Sequence, residues 1–141
     1  MSQQQFWFRS TLFEIKPGED EETNPFCYGR QLSRWLRDRL VIDGRIVEEV
    51  IPEDWGWCIV VQRKPHLLWV GCGCVHGFAA NQPSASVPRG SEVVWSCMVV
   101  AEQSLFGKLR GNNTTPSVDA LFKQVKKIVE RESSNALVSQ P

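Results

Sequence analysis

The sequence has no charge excess, no long apolar run and no catalytic signature, and these gaps narrow what the chain can be. Sixteen Lys and Arg balance sixteen Asp and Glu, so the basic footprint of a general nucleic-acid binder is missing. No apolar run approaches the roughly 20 residues that cross a bilayer as a helix, and no membrane contact is expected. The opening Met1-Ser2-Gln3-Gln4-Gln5 has no cationic flank, and Arg9 soon interrupts Phe6-Trp7-Phe8. It does not read as a secretory signal, and a cytoplasmic location is expected. In that compartment five cysteines, an odd number, read as reduced thiols instead of a disulfide framework.

The chemistry-bearing motifs are equally sparse. Gly71 and Gly73 lack the Lys-Ser or Lys-Thr of a phosphate loop and sit inside an apolar run. With only two histidines, no Ser–His–Asp or Cys–His pairing can be defended. No catalytic residue, metal ligand or cofactor is assigned on these grounds.

What the sequence does have is a dense apolar centre. Trp55-Gly56-Trp57-Cys58-Ile59-Val60-Val61 and Leu67-Leu68-Trp69-Val70-Gly71-Cys72-Gly73-Cys74-Val75 hold three of the six tryptophans and three of the five cysteines. They read as two adjacent buried strands, broken at Arg63-Lys64-Pro65-His66. Their register decides which side chains share a face: one parity puts Cys58 with Cys72 and Cys74, the other puts Trp57 there instead. The sequence leaves both open.

Around this hairpin the elements follow in order. Phe6–Ile15 predicts a strand, stopped by Lys16-Pro17-Gly18. After four consecutive acids, Glu19, Asp20, Glu21 and Glu22, Asn24 as N-cap with Pro25 at the first position predicts a helix. Tyr28, Leu32, Trp35, Leu36 and Leu40 form its apolar stripe, and Gly44 ends it. Arg45–Ile51 predicts a second strand, 76–92 a long surface loop, and Val93–Val100 a nearly all-apolar central strand. Ser104–Arg110 predicts a helical turn. Thr115 and Pro116 open a last helix whose stripe is Val118, Leu121, Phe122, Val125, Ile128 and Val129. The expected architecture is one α+β domain over residues 1–132, with a disordered tail over 133–141. It is a two-layer sandwich, a mostly antiparallel sheet of four to five strands with two helices on one face.

Three stretches, Pro17-Gly18-Glu19-Asp20-Glu21-Glu22-Thr23-Asn24-Pro25, Glu53-Asp54-Trp55-Gly56-Trp57 and Leu68-Trp69-Val70-Gly71-Cys72-Gly73, resemble those of an uncharacterised family of short bacterial proteins. The resemblance covers roughly residues 12–130. It implies a free-standing bacterial cytoplasmic domain and brings no catalytic residues with it.

Two functional classes compete. Glu19–Glu22 exceed what a helix N-terminus requires, and Glu53-Asp54 precede Trp55 and Trp57, residue types enriched at interfaces. Glu19, Asp20, Glu21, Glu22, Glu53, Asp54, Trp55 and Trp57 would form an acidic and aromatic surface for a protein partner, one carrying basic charge. That reading makes the protein a non-enzymatic adaptor or immunity-like module, with self-association through an uncovered sheet face as a variant. The rival is a small-ligand or metal-dependent enzyme on the Cys72–Cys74 strand. Residues two apart on a strand point the same way, about 7 Å apart, near what two thiolates on one zinc can reach. Cysteine is, however, also a common small core residue, and Glu53 and Asp54 suit a turn as well as acid–base work.

Overall fold

The computed structural model describes residues 2–75 and 90–141. A single sheet of six strands forms its base: β1 Ser2–Ser10, β2 Ile51–Glu53, β3 Gly56–Gln62, β4 Leu67–Cys74, β5 Trp95–Glu102 and β6 Asn135–Val138. They lie in the order β2-β3-β4-β5-β1-β6, and every neighbouring pair is antiparallel. Three helices complete the α+β fold: α1 Arg30–Ile42, α2 Leu105–Leu109 and α3 Thr115–Arg131. α1 packs over β3 and β4, and α3 over β1 and β5. Both therefore cover the same face.

The apolar stripes explain that arrangement. Leu32, Leu36 and Leu40 of α1 and Val118, Leu121, Val125, Ile128 and Val129 of α3 are buried together against Phe6, Phe8, Ile59, Val70, Trp95 and Val99 of the sheet. Phe13 and Ile15, beyond the end of β1, belong to the same cluster. Phe13 meets Trp35 edge to face at 5.3 Å between centroids, the geometry favoured by the ring quadrupoles.

Four expectations need correction. The sheet has six strands, not four to five. The sixth comes from the tail expected to be disordered: Trp7 to Ser10 of β1 pair with Val138 to Asn135. Ser134 extends the pairing by accepting from the Thr11 amide at 3.1 Å. Four residues are too few for a period to show in sequence. Residues 45–50 form no strand. They run beside β3, where the Glu48 amide donates to the Val60 carbonyl at 3.0 Å, and Val47 and Val50 pack against the core. The first strand starts at Ser2, because β5 pairs with it from Ser2 through Phe8.

The fourth correction is the start of α1, which lies at Arg30 and not at Asn24-Pro25. Asn24 closes a turn instead, its carbonyl accepting from the Cys27 amide at 2.9 Å. Phe26 then adopts a positive φ of 69°, which breaks helical continuity. The N-cap position falls on Gly29, which has no side chain to cap with. Glu19, ten residues upstream and buried, does the capping: its Oε2 accepts from the Gly29 amide at 2.7 Å and the Arg30 amide at 3.2 Å. The other end follows expectation. Gly44 has φ 95°, and the Arg45 amide reaches back to the Leu40 carbonyl at 3.0 Å, as in a Schellman ending.

The hairpin register is settled by Trp57 pairing with Cys72 and Ile59 with Val70. Trp57, Cys72 and Cys74 therefore point toward the helices, and Cys58, paired with Gly71, points to the opposite face. An irregularity between Val60 and Gln62 shifts the pairing at the far end of β3.

Candidate functional site

With α1 and α3 on one face, the other face of the sheet carries no helix among the described residues. Period-two alternation from the fixed register puts Ile51, Cys58, Val60, Trp69, Gly71, Met98, Val100 and Trp7 on it. It is apolar at its centre, with Gln3, Gln5, Arg9, Glu53 and Glu102 toward its margins.

One residue organises this face. Asp54 and Trp55 form the two-residue turn between β2 and β3, and the Trp55 ring folds back over the sheet onto Gly71. A Cβ added at Gly71 would lie 2.8 Å from two Trp55 ring atoms and 2.9 Å from the Trp69 ring. Glycine is required there by space, not by backbone angle. Trp55 stacks on Trp69 with centroids 5.3 Å apart and planes at 26°. It nonetheless stays 38% exposed. Trp55 borders two grooves. The larger, about 320 Å³, has Ile51, Cys58, Val60 and Trp69 among its lining, with Glu53 and Glu102. The smaller, about 180 Å³, lies over Gly71, Gly73, Ser96 and Met98.

The larger groove is electrostatically lopsided. Glu53 enters it from β2 opposite Gly56, and Glu102 from the last position of β5 opposite Leu67. Neither carboxylate forms an ion pair among the described residues. Arg63 also lines the groove, but its guanidinium is engaged by Glu48 in a two-pronged contact at 2.7 and 2.8 Å. Burial pushes the Cys58 thiol up to about 12, and Glu53, Cys72 and Glu102 add to the shift.

The sequence-assigned surface is thereby divided. Glu53, Asp54 and Trp55 are exposed together at the mouth of this face. Trp57 is buried on the helix side, with the Arg30 guanidinium 5.7 Å from its ring centroid. Glu19 is buried as the α1 cap. Asp20 accepts from the Phe26 amide at 3.0 Å, and Glu22 pairs with Arg30 at 3.0 Å. The acidic run thus serves mainly to hold the 19–29 segment against α1, and only Glu21 lacks a polar partner among the described residues. Trp69 and Glu102 were not singled out by sequence. The available signal was the spacing of Trp69 and Gly71, two apart and hence on one face, but only the pairing shows that Trp55 lies on them.

The thiols carry no comparable site. Cys72 and Cys97 pair directly across β4 and β5, both inside the core. The Cys97 hydrogen bond and burial hold the Cys72 thiol well above its ordinary range. Cys74 donates to the Phe26 carbonyl at 3.6 Å, and burial pushes it up to about 12. Cys58 faces away from Cys72, Cys74 and Cys97, so these four thiols do not converge. Among the described residues no three His, Cys, Asp or Glu come together as a metal site; positions 76–89, most of the loop expected over 76–92, lie outside those residues.

A measurable consequence follows for the native thiols. A thiol at about 12 instead of 9.0 has roughly a thousandfold less thiolate at pH 8. Because all five cysteines are also buried, disulfide-exchange reagents should label none of them within minutes in the folded protein and all five in denaturant. The same shifts set an alkaline limit. The folded state favours the protonated thiols and the Tyr28 hydroxyl, also raised to about 12 by burial. Their contribution is whole below about pH 9 and is lost as pH climbs toward 12. A urea midpoint that stayed constant from pH 8 to 11 would contradict it.

No family model, curated protein or solved structure matches this chain.

Proposed function

We propose that this protein is a non-enzymatic interaction module, adaptor or immunity-like in kind, that docks a protein partner on the outer face of its sheet. The observation that carries the reading is the Trp55–Trp69 stack: a half-exposed indole seated on a glycine at the centre of an apolar face, with a groove on each side. A preorganised tryptophan of this kind is what interface hot spots are made of, since it offers large area at little ordering cost. Glu53 and Asp54 beside it supply the polar margin such interfaces have. The enzyme reading has no comparable support, because the thiols on which it rested are turned into the core and protonated.

The test is capture of a partner from host lysate by immobilised protein, run with wild type, Trp55→Ala and a control in α2. That control is Phe106→Ser, since Phe106 is 64% exposed at a separate apolar patch. A partner held stoichiometrically by wild type and Phe106→Ser, and weakened about 30-fold or more by Trp55→Ala, supports the reading. A partner indifferent to Trp55, or lost with Phe106, would place the interface elsewhere.

A further inference from the structure

Resting on that docking reading, we infer that the larger groove beside the Trp55–Trp69 stack receives a lysine or arginine side chain from an extended, basic segment of the partner. Three features of the groove specify that chemistry. Its floor is apolar, made by Cys58 and Val60, both buried. One wall is aromatic, made by Trp69 with Trp55 stacked on it. Its only uncompensated charges are negative: Glu53 and Glu102 lack ion-pair partners among the described residues, while Arg63 is already neutralised by Glu48.

Each alternative side chain fails on one of these counts. An acidic side chain would meet two carboxylates and, among the described residues, no free cation. A purely apolar one would cover the floor but strip water from carboxylates that gain no partner, a cost that burial of a charge always carries. Lysine and arginine satisfy all three features at once. Their methylene stems lie along apolar surface while the charged head stays at the rim, where it can face a ring and reach a carboxylate. The groove's volume, about 320 Å³, is at the small end of ligand pockets, which begin at roughly 300 Å³. That suits a side chain presented by a segment lying across the sheet.

The experiment is an NMR titration of the isotope-labelled full chain with three capped pentapeptides: Gly-Gly-Arg-Gly-Gly, its citrulline analogue and its Glu analogue. Citrulline keeps the shape of arginine and removes the charge. The arginine peptide is expected to shift the indole N–H signals of Trp55 and Trp69 and the amides of Cys58 and Val60, saturating in the millimolar range. The citrulline and Glu peptides should bind at least tenfold more weakly. The Glu53→Gln, Glu102→Gln double variant, altered only at exposed positions, should lose arginine binding about tenfold while keeping its spectrum elsewhere. Equal binding of the citrulline peptide, shifts centred on another surface, or no shifts in the wild-type protein would overturn the inference. The two proposals fail separately. If Trp55→Ala releases a captured partner but the arginine peptide does not bind, the docking reading survives and the charge selectivity falls. If the peptide binds here but no captured partner depends on Trp55, the docking reading falls and the cation site survives.

Discussion

Replacing Gly56 by alanine is expected to destabilise the protein by roughly 2–6 kcal/mol, a large share of the roughly 5–15 kcal/mol that holds most domains folded. Two costs combine. Gly56 has φ 155°, and a Cβ there would lie 2.6 Å from the Cys72 carbonyl oxygen. The first puts an L side chain in a region only glycine occupies freely; the second drives a methyl group into the backbone of a central strand, which cannot swing aside. Gly29, at the N-cap of α1, faces the same atom, with φ 144° and a Cβ position 2.8 Å from the Cys72 oxygen. Because both substitutions push one carbonyl, their effects should not add: a shift of β4 that relieves one relieves part of the other. Gly44 supplies the contrast. It has φ 95° with nothing within 4 Å of an added Cβ, so Gly44→Ala should cost only the backbone strain, about 1–2 kcal/mol. Urea unfolding of the three single variants and the Gly29/Gly56 double variant tests this. A Gly56→Ala protein as stable as Gly44→Ala would refute the crowding argument.

That shared contact shows where the sequence could be read and where it could not. α3 was legible because Pro116 marks its start and five core residues repeat at helical spacing, all within one element. β5 was legible as a continuous apolar run, and the β3–β4 hairpin as two. The start of α1 was not, because the group that caps it belongs to a different loop; Asn24-Pro25 carried the local signal and lost to a tertiary one. The faces of the hairpin were not, because a shift of one residue exchanges Trp57 for Cys58 without changing composition. The site suffered from the same ambiguity. Trp55 could be singled out from its place at a turn beside two acids. Trp69 and Glu102 could not, because they come from β4 and β5 and meet Trp55 or its groove only through the strand pairing. Trp57, two residues from Trp55, looked equivalent, but the turn at Asp54-Trp55 ends the alternation and leaves the two indoles on opposite sides of the sheet.

The acids divide the same way, and substituting them separates fold from function. Glu19→Ala is expected to cost about 3–5 kcal/mol, since it removes a charge-assisted acceptor from two amides and leaves both inside the structure without a partner. Gly29 cannot compensate, having no side chain, and the first turn of α1 should fray. Glu19→Gln keeps an acceptor oxygen and gives up only the charge facing the helix N-terminus, a loss nearer 1–2 kcal/mol. Hydrogen exchange makes the assignment specific: the Gly29 and Arg30 amides should lose protection in Glu19→Ala and largely retain it in Glu19→Gln. Glu53→Gln should do the reverse of both. Its carboxylate lies exposed and without an ion pair among the described residues, so unfolding should move by no more than about 0.5 kcal/mol while the proposed recognition of a basic segment weakens. If Glu19→Gln, with its fold intact, abolished partner capture and Glu53→Gln left it unchanged, the binding surface would lie on the acidic loop and not on the sheet. Capture that follows Glu53 and ignores Glu19 is the outcome expected of the proposed docking face, because Glu19 is already spent on capping α1.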